Sequence, residues 1–267
     1  MNESSPNDIE GTLFRFADEY VERSFVPYSL SKRACVLLLD DGEVVPGVRV
    51  ENASFSLSLP ALANAFSTAA TLGRMDIVAV AFGFQPSDAD LAFLRAHPLG
   101  PFSRIGDRFF SKDRIEDAPT PGSVVDPTIS HPLEWSANVA LARAREFSER
   151  AIIPESEFPV GTLLELADGR LIPGVNVEHP DWQQIVCAEK NAFGTAVTFG
   201  LLDIVSIYLN CPMDDLASPC GACRQIMVEL APQATVWMDR GIRDAEQAVV
   251  YDLLPGYFSG KALYRNS

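Results

Sequence analysis

The feature that most limits how this chain can fold is a repeat. "DDGEVVPGVRVE" (40–51) matches "ADGRLIPGVNVE" (167–178), and "NAFSTAATLGRMDIVAV" (64–80) matches "NAFGTAVTFGLLDIVSI" (191–207). Both pairs are offset by 127 residues, so no insertion or deletion separates them. Two long matches in one register make the chain a tandem duplication, and each copy must be a domain that can be built twice. A length of 267 residues leaves each copy the size of a small domain.

Each copy predicts the same elements. An amphipathic helix comes first, "IEGTLFRFADEYVER" in one copy and "ANVALARAREFSER" in the other. A β-hairpin follows, turned at Asp41-Gly42 or Asp168-Gly169, where glycine accepts the positive φ of a tight turn. A second helix holds Asn64–Thr71 or Asn191–Thr198 and ends near Gly73 or Gly200. A β-branched strand runs through "MDIVAVAF" or "LDIVSIYL". Strands alternating with helices predict an α/β fold with helices covering a sheet. The boundaries read as a polar tail at 1–8, a first copy at 9–115, a Pro/Ser-rich linker at 116–134 and a second copy at 135–267.

The chemistry is concentrated in the second copy. Cys187 stands in "VCAEKNA", and Cys220 and Cys223 stand in "SPCGACRQ". A lone Cys-x-x-Cys suits a redox pair or a structural zinc site equally. Three thiols are one short of a closed structural tetrahedron, whereas three ligands plus water make an open catalytic zinc site. Cys211 could close the tetrahedron in the structural reading, which would leave the metal a scaffold without activity. Glu189 lies two residues after Cys187 in the first helical turn, within reach of a metal's open position, and the helix dipole there favours a thiolate. Taken singly, Glu189 is an ordinary helix N-terminal acid, and Asn176 and Glu178 are strand-end turn residues. Cys35 reads as a buried apolar side chain, and His97, His131 and His179 read as surface or linker residues.

Cys187-Ala188-Glu189 with Pro219-Cys220-Gly221-Ala222-Cys223 matches the zinc deaminase signature. With "NVE" (176–178), "PESEFPVG" (154–161) and "LLPGYF" (253–258), the chain resembles the cytidine deaminases, over nearly all of the second copy and more weakly over the first. The resemblance implies a tandem pair of three-layer α/β/α sandwiches, each a mixed sheet with helices on both faces. It implies one zinc per chain on Cys187, Cys220 and Cys223, and Glu189 moving protons as cytidine or 2′-deoxycytidine becomes uridine or 2′-deoxyuridine plus ammonia. Asn176 and Glu178 would read the ribose, Phe158 would stack on the base, and Ala188 N–H and the Ser218 carbonyl would bind the base edge. Phe258, in the tail motif, reads by default as a core residue. A nucleoside analogue or aminonucleoside antibiotic is the alternative substrate.

Two departures from the family pattern stand out. Lys190 replaces the usual Arg after the catalytic Glu and can temper three thiolates only as a point charge, with Arg224 as a candidate helper. "EHPDW" replaces the "ENA-small-aromatic" continuation, whose tip reaches a neighbouring subunit's site in relatives. The first copy has the opposite pattern: Pro60, Leu62 and Arg49 stand where Cys187, Glu189 and Asn176 would be, yet "ENASF" survives at 51–55. Complementation follows as an expectation, with Ala53 and Phe55 of the silent copy completing the active site and Trp182 facing the defunct one. Two-domain relatives imply a homodimer.

Composition narrows the partners. A net charge of −15 and no Lys/Arg-dense stretch disfavour a nucleic acid polymer and favour a small nucleoside. The longest apolar run, "IVAVAFGF", is far too short for a bilayer, and the first residues lack a signal pattern, so a cytoplasmic protein with reduced thiols is expected.

Overall fold

The computed structural model describes residues 6–96, 100–132 and 134–264. The first copy runs α1 (Pro6–Tyr20), β1 (Ala34–Leu39), β2 (Val44–Val48), α2 (Ala61–Leu72), β3 (Ile77–Phe82), α3 (Asp88–Ala96), β4 (Ser103–Arg104) and β5 (Phe109–Ser111). After β6 (Ile129–Ser130) the second runs α4 (Ala137–Ser148), β7 (Gly161–Leu166), β8 (Arg170–Val175), α5 (Ala188–Phe199), β9 (Ile204–Asn210), α6 (Gly221–Leu230), β10 (Thr235–Met238) and β11 (Glu246–Val249). Helix α1 already begins at Pro6, so the expected polar tail of 1–8 is shorter than its composition suggests.

Glycine placement builds the three layers. Gly161 pairs with Val175, and Gly174 with Thr162, so the two glycines face opposite sides of the β7–β8 hairpin. A Cβ at Gly161 would collide with the Ala144 carbonyl of α4, and one at Gly174 with the Ala188 carbonyl of α5. One helix therefore lies on each face at very close approach. Gly73 and Gly200 both end their helices in the left-handed conformation, at φ of 73° and 71°.

The sheets differ where the repeat ends. The second has the order β11-β10-β9-β7-β8-β6, with β10 parallel to β9 and its other pairs antiparallel. The first has the order β2-β1-β3-β5-β4 and is antiparallel throughout. The expected mixed sheet therefore holds for the second copy alone. In the first copy the chain after α3 folds into a short β4–β5 hairpin, which returns β5 against β3 in the opposite sense. Nor is the 116–134 segment a free linker: Ser123 and Val125 hydrogen-bond to Val44, while β6 adds an edge strand to the second sheet.

The copies pack through α2 and α5 about a local twofold. The hydroxyls of Thr68 and Thr195, repeat equivalents of each other, lie 2.8 Å apart on it. Asn64 Nδ2 donates to Val48 O, Gly194 O and Thr198 Oγ1, and Asn191 Nδ2 makes the mirrored set to Val175 O, Ser67 O and Thr71 Oγ1. The apolar core of the first copy takes in Val186 and Val197 of the second, so the two cores are continuous.

Candidate metal centre and its cleft

Two helix N-termini converge to form the centre. Cys187 is the N-cap of α5 and Cys220 the N-cap of α6, with Cys223 one turn further on. The three Sγ atoms lie within 4.8 Å of one another, and Cys220 and Cys223 are 3.4 Å apart. Tetrahedral zinc with Zn–S bonds of about 2.3 Å sets thiolates roughly 3.8 Å apart, so the donor set fits zinc. Hydrogen bonds from Cys187 and Cys223, with the Cys223 backbone N–H, pull the Cys220 thiol down. Hydrogen bonds within the cluster push Cys187 and Cys223 up. Cys211 lines the same cleft but stands outside this donor cluster, and burial pushes its thiol up to about 12. A closed four-thiolate site is therefore not assembled.

Glu189 is 4% exposed, and burial raises its carboxyl to about 7, the range that suits a group exchanging protons near neutrality. It opens onto a cleft of about 580 Å³ whose walls include Phe158, Asn176, Glu178, Ala188 and Ser218. Glu178 Oε2 accepts from Glu155 and Ser156 N–H at 2.9 and 3.1 Å, and no hydrogen bond among the described residues reaches Oε1. Asn176 joins Val160 N–H to the Phe158 carbonyl, so it shapes the segment that carries Phe158. Ala188, the first residue of α5, has a backbone N–H with no intrahelical acceptor.

The first copy holds the same frame with its contacts used up. Pro60 caps α2 at φ −63° and ψ 147°, nearly the conformation of Cys187, but brings no ligand. Glu51 Oε2 accepts from Tyr28 and Ser29 N–H, the counterparts of 155 and 156. Its Oε1, free in Glu178, is taken by the Ser29 hydroxyl and by Arg49 at 2.9 Å.

Several expected placements need correction. Ala53 and Phe55 do not line the cleft of their own chain. Ala53 N–H is bound to Glu229, and Phe55 is 87% exposed. Trp182 instead forms part of the wall of the cleft in its own copy, because the 179–186 loop folds back beside Glu178. Phe258 is exposed and does not line the cleft. Arg224 does not meet the thiols; it clamps Pro219 O, Leu253 O and Ser218 Oγ. Burial lowers the Lys190 ammonium, against the three nearby thiols, which favour its charge. His179 is buried at 6% exposure and stacks on Phe93 of the silent copy at 5.0 Å. His131 is part-buried and stacks on Trp135. His97 lies outside the described residues. Asp214 and Leu216, also on the cleft wall, had no motif to reveal them.

Two family models, both described as the cytidine and deoxycytidylate deaminase zinc-binding region, match residues 135–239 and 2–82. The chain belongs to the cytidine deaminase family. It is 35% identical over 124 residues to the cytidine deaminase of Sporosarcina psychrophila, covering 46% of this chain and 91% of that one. The enzyme of Halalkalibacterium halodurans is 36% identical over 122 residues, covering 45% and 92%. A crystal structure of cytidine deaminase from Burkholderia pseudomallei is 31% identical, with a TM-score of 0.44, covering 46% and 100%. Such relatives correspond to one copy, and this family member carries two.

Proposed function

We propose that this chain catalyses zinc-dependent hydrolytic deamination of cytidine and 2′-deoxycytidine, at one site per chain, in the recovery of pyrimidine nucleosides. The reading is carried by one coincidence: three thiols in zinc-binding geometry beside a buried carboxyl that titrates near neutrality. Zinc held by Cys187, Cys220 and Cys223 supplies a Lewis acid that brings the ionisation of water into the neutral range. Glu189 takes a proton from the attacking water and passes it to N3 as oxygen adds at C4, then carries the proton of the new C4 hydroxyl to the amine, which leaves as ammonia as the C4 carbonyl forms. Ala188 N–H holds the base O2, the Ser218 carbonyl accepts from the exocyclic amine, and Phe158 stacks on the ring. Asn176 orders the loop around the ribose, and Glu178 Oε1 accepts from a hydroxyl.

A homodimer belongs to this proposal. Phe55 and Trp182, at 87% and 71% exposure, are large apolar tips that their own chain leaves uncovered. A second chain's Phe55 reaching the mouth of the cleft would restore complementation between chains. The charge of −15 weighs against a polynucleotide substrate. Among the described residues no helix is long and apolar enough to cross a membrane, in keeping with a cytoplasmic role.

Ammonia release measured against cytidine, deoxycytidine and free cytosine, with zinc counted on the same sample, tests the reading. One zinc per chain and turnover of both nucleosides, with cytosine poor, are expected. Turnover of a nucleoside analogue alone would move the assignment to analogue deamination, and zinc without any turnover would reduce the chain to a scaffold.

A further inference from the structure

The silent copy keeps Ala53 without placing it in the cleft, and the contact it makes is at the far end of the helix that carries two of the thiols. Helix α6 starts at the Cys220 cap, and Glu229 stands in its last turn. The Glu229 carboxylate accepts the Ala53 N–H at 3.1 Å and the Tyr28 hydroxyl at 3.1 Å, both from the silent copy. It also accepts Gln225 Nε2 at 2.6 Å, and Gln225 in turn donates to the Phe258 carbonyl of the tail at 2.9 Å. The tail lies against the same two residues, since a Cβ on Gly260 would strike Ala53 Cβ and come too close to the Tyr28 hydroxyl. Burial, and next the neighbouring Glu229, raise the Tyr28 hydroxyl above its ordinary range, so it remains a proton donor.

We propose that Glu229 is a positioning residue through which the silent copy fixes the zinc-site helix. Held at its last turn by Ala53 N–H and the Tyr28 hydroxyl, α6 keeps Cys220 and Cys223 aimed at Cys187. An α-helix is stiff over about 15 Å, the length of ten residues, so anchoring one end restricts tilt and rotation at the other. The inference rests on the reading of those thiols as zinc ligands. It goes beyond that reading by assigning the silent copy a task outside the cleft.

The test compares zinc release to a colorimetric chelator, at a temperature where every variant is folded, for wild type, Glu229→Ala, Glu229→Gln, Tyr28→Phe and Asn64→Ala. Glu229→Ala should release zinc at least tenfold faster and lower kcat more than it raises KM. Glu229→Gln, which keeps an acceptor oxygen, should recover most of the loss, and Tyr28→Phe should fall between. Asn64→Ala perturbs the contact between copies at Gly194 and Thr198 of α5 rather than at α6, and should accelerate release far less than Glu229→Ala. A folded Glu229→Ala with wild-type release, or equal acceleration by Asn64→Ala, overturns the proposal. If Glu229→Ala does not fold, Tyr28→Phe against Asn64→Ala decides the question by the same criterion. Amide exchange across 221–230 in metal-free protein is an independent readout: faster exchange in Tyr28→Phe supports the clamp, and unchanged exchange overturns it. A wild type that binds no zinc would refute the functional reading alone, and the exchange measurement would still decide the clamp.

Discussion

Glu189 shows how much one side chain's surroundings contribute. Near the start of α5 the helix dipole favours a carboxylate, yet burial outweighs it and raises the acid to about 7. Replacing it by Gln keeps size and polarity but removes the exchangeable proton. Turnover should fall by about a thousandfold or more while one zinc stays bound, checked by steady-state kinetics with metal analysis. The same shift has a stability consequence in metal-free protein. The folded-state value is raised from 4.5 to about 7, so this contribution is fully present below the unfolded value and is lost as pH rises through the folded one. At about 1.4 kcal/mol per unit, the loss is on the order of 3 kcal/mol. Denaturation of chelated wild type and Glu189→Gln between pH 4.5 and 8 should show wild type losing stability relative to the variant, and parallel curves would refute the assignment. The three-thiol cluster, Glu189 and the Asn176–Glu178 pair on the cleft wall were legible in the sequence because their spacing is local: Cys187 and Glu189 share one turn, as do Cys220 and Cys223. The bond from the Ser29 hydroxyl to Glu51 Oε1 was not, since it joins residues 22 positions apart.

At the scale of elements, the repeat predicted helices, hairpins and their glycine ends closely, because each depends on periodicity and turn residues. Loops were harder. The 179–186 loop differs from its counterpart in the first copy only in side chains, but its path past Glu178 decides which aromatic meets the cleft. Trp182→Ala should therefore raise KM for nucleoside severalfold at every protein concentration. Phe55→Ala should raise KM as well, but through the second chain, so its activity should fall further on dilution and its dimer should weaken by analytical ultracentrifugation. A Phe55→Ala enzyme indistinguishable from wild type in both respects would remove this residue from the site. The antiparallel β5 was equally hidden, because the recognisable repeat stops before α3 and nothing local specifies the direction of a returning strand.

At the scale of the whole molecule, the local twofold between α2 and α5 joins the copy that holds the three-thiol cluster to one that lacks it. Asn64 and Asn191 each make three buried hydrogen bonds across or beside this axis. Truncating either to Ala removes these buried bonds and leaves a void between the helices, at a cost of about 2–3 kcal/mol. Thermal or denaturant unfolding of Asn64→Ala should still be a single transition at lower stability, since the cores are continuous. Two resolved transitions would show that the copies fold independently.

The sequence alone determined the duplication, the α/β character, the spacing of Cys187, Glu189, Cys220 and Cys223 and the absence of matching thiols from the first copy, because each is written in spacing or in a missing residue type. Tertiary structure alone decided that the linker is paired with both sheets and that Trp182 walls the cleft. It also decided that "ENASF" meets the active copy behind the zinc-site helix. Those outcomes depend on backbone groups brought together from positions far apart in the chain, where no side-chain pattern records the pairing.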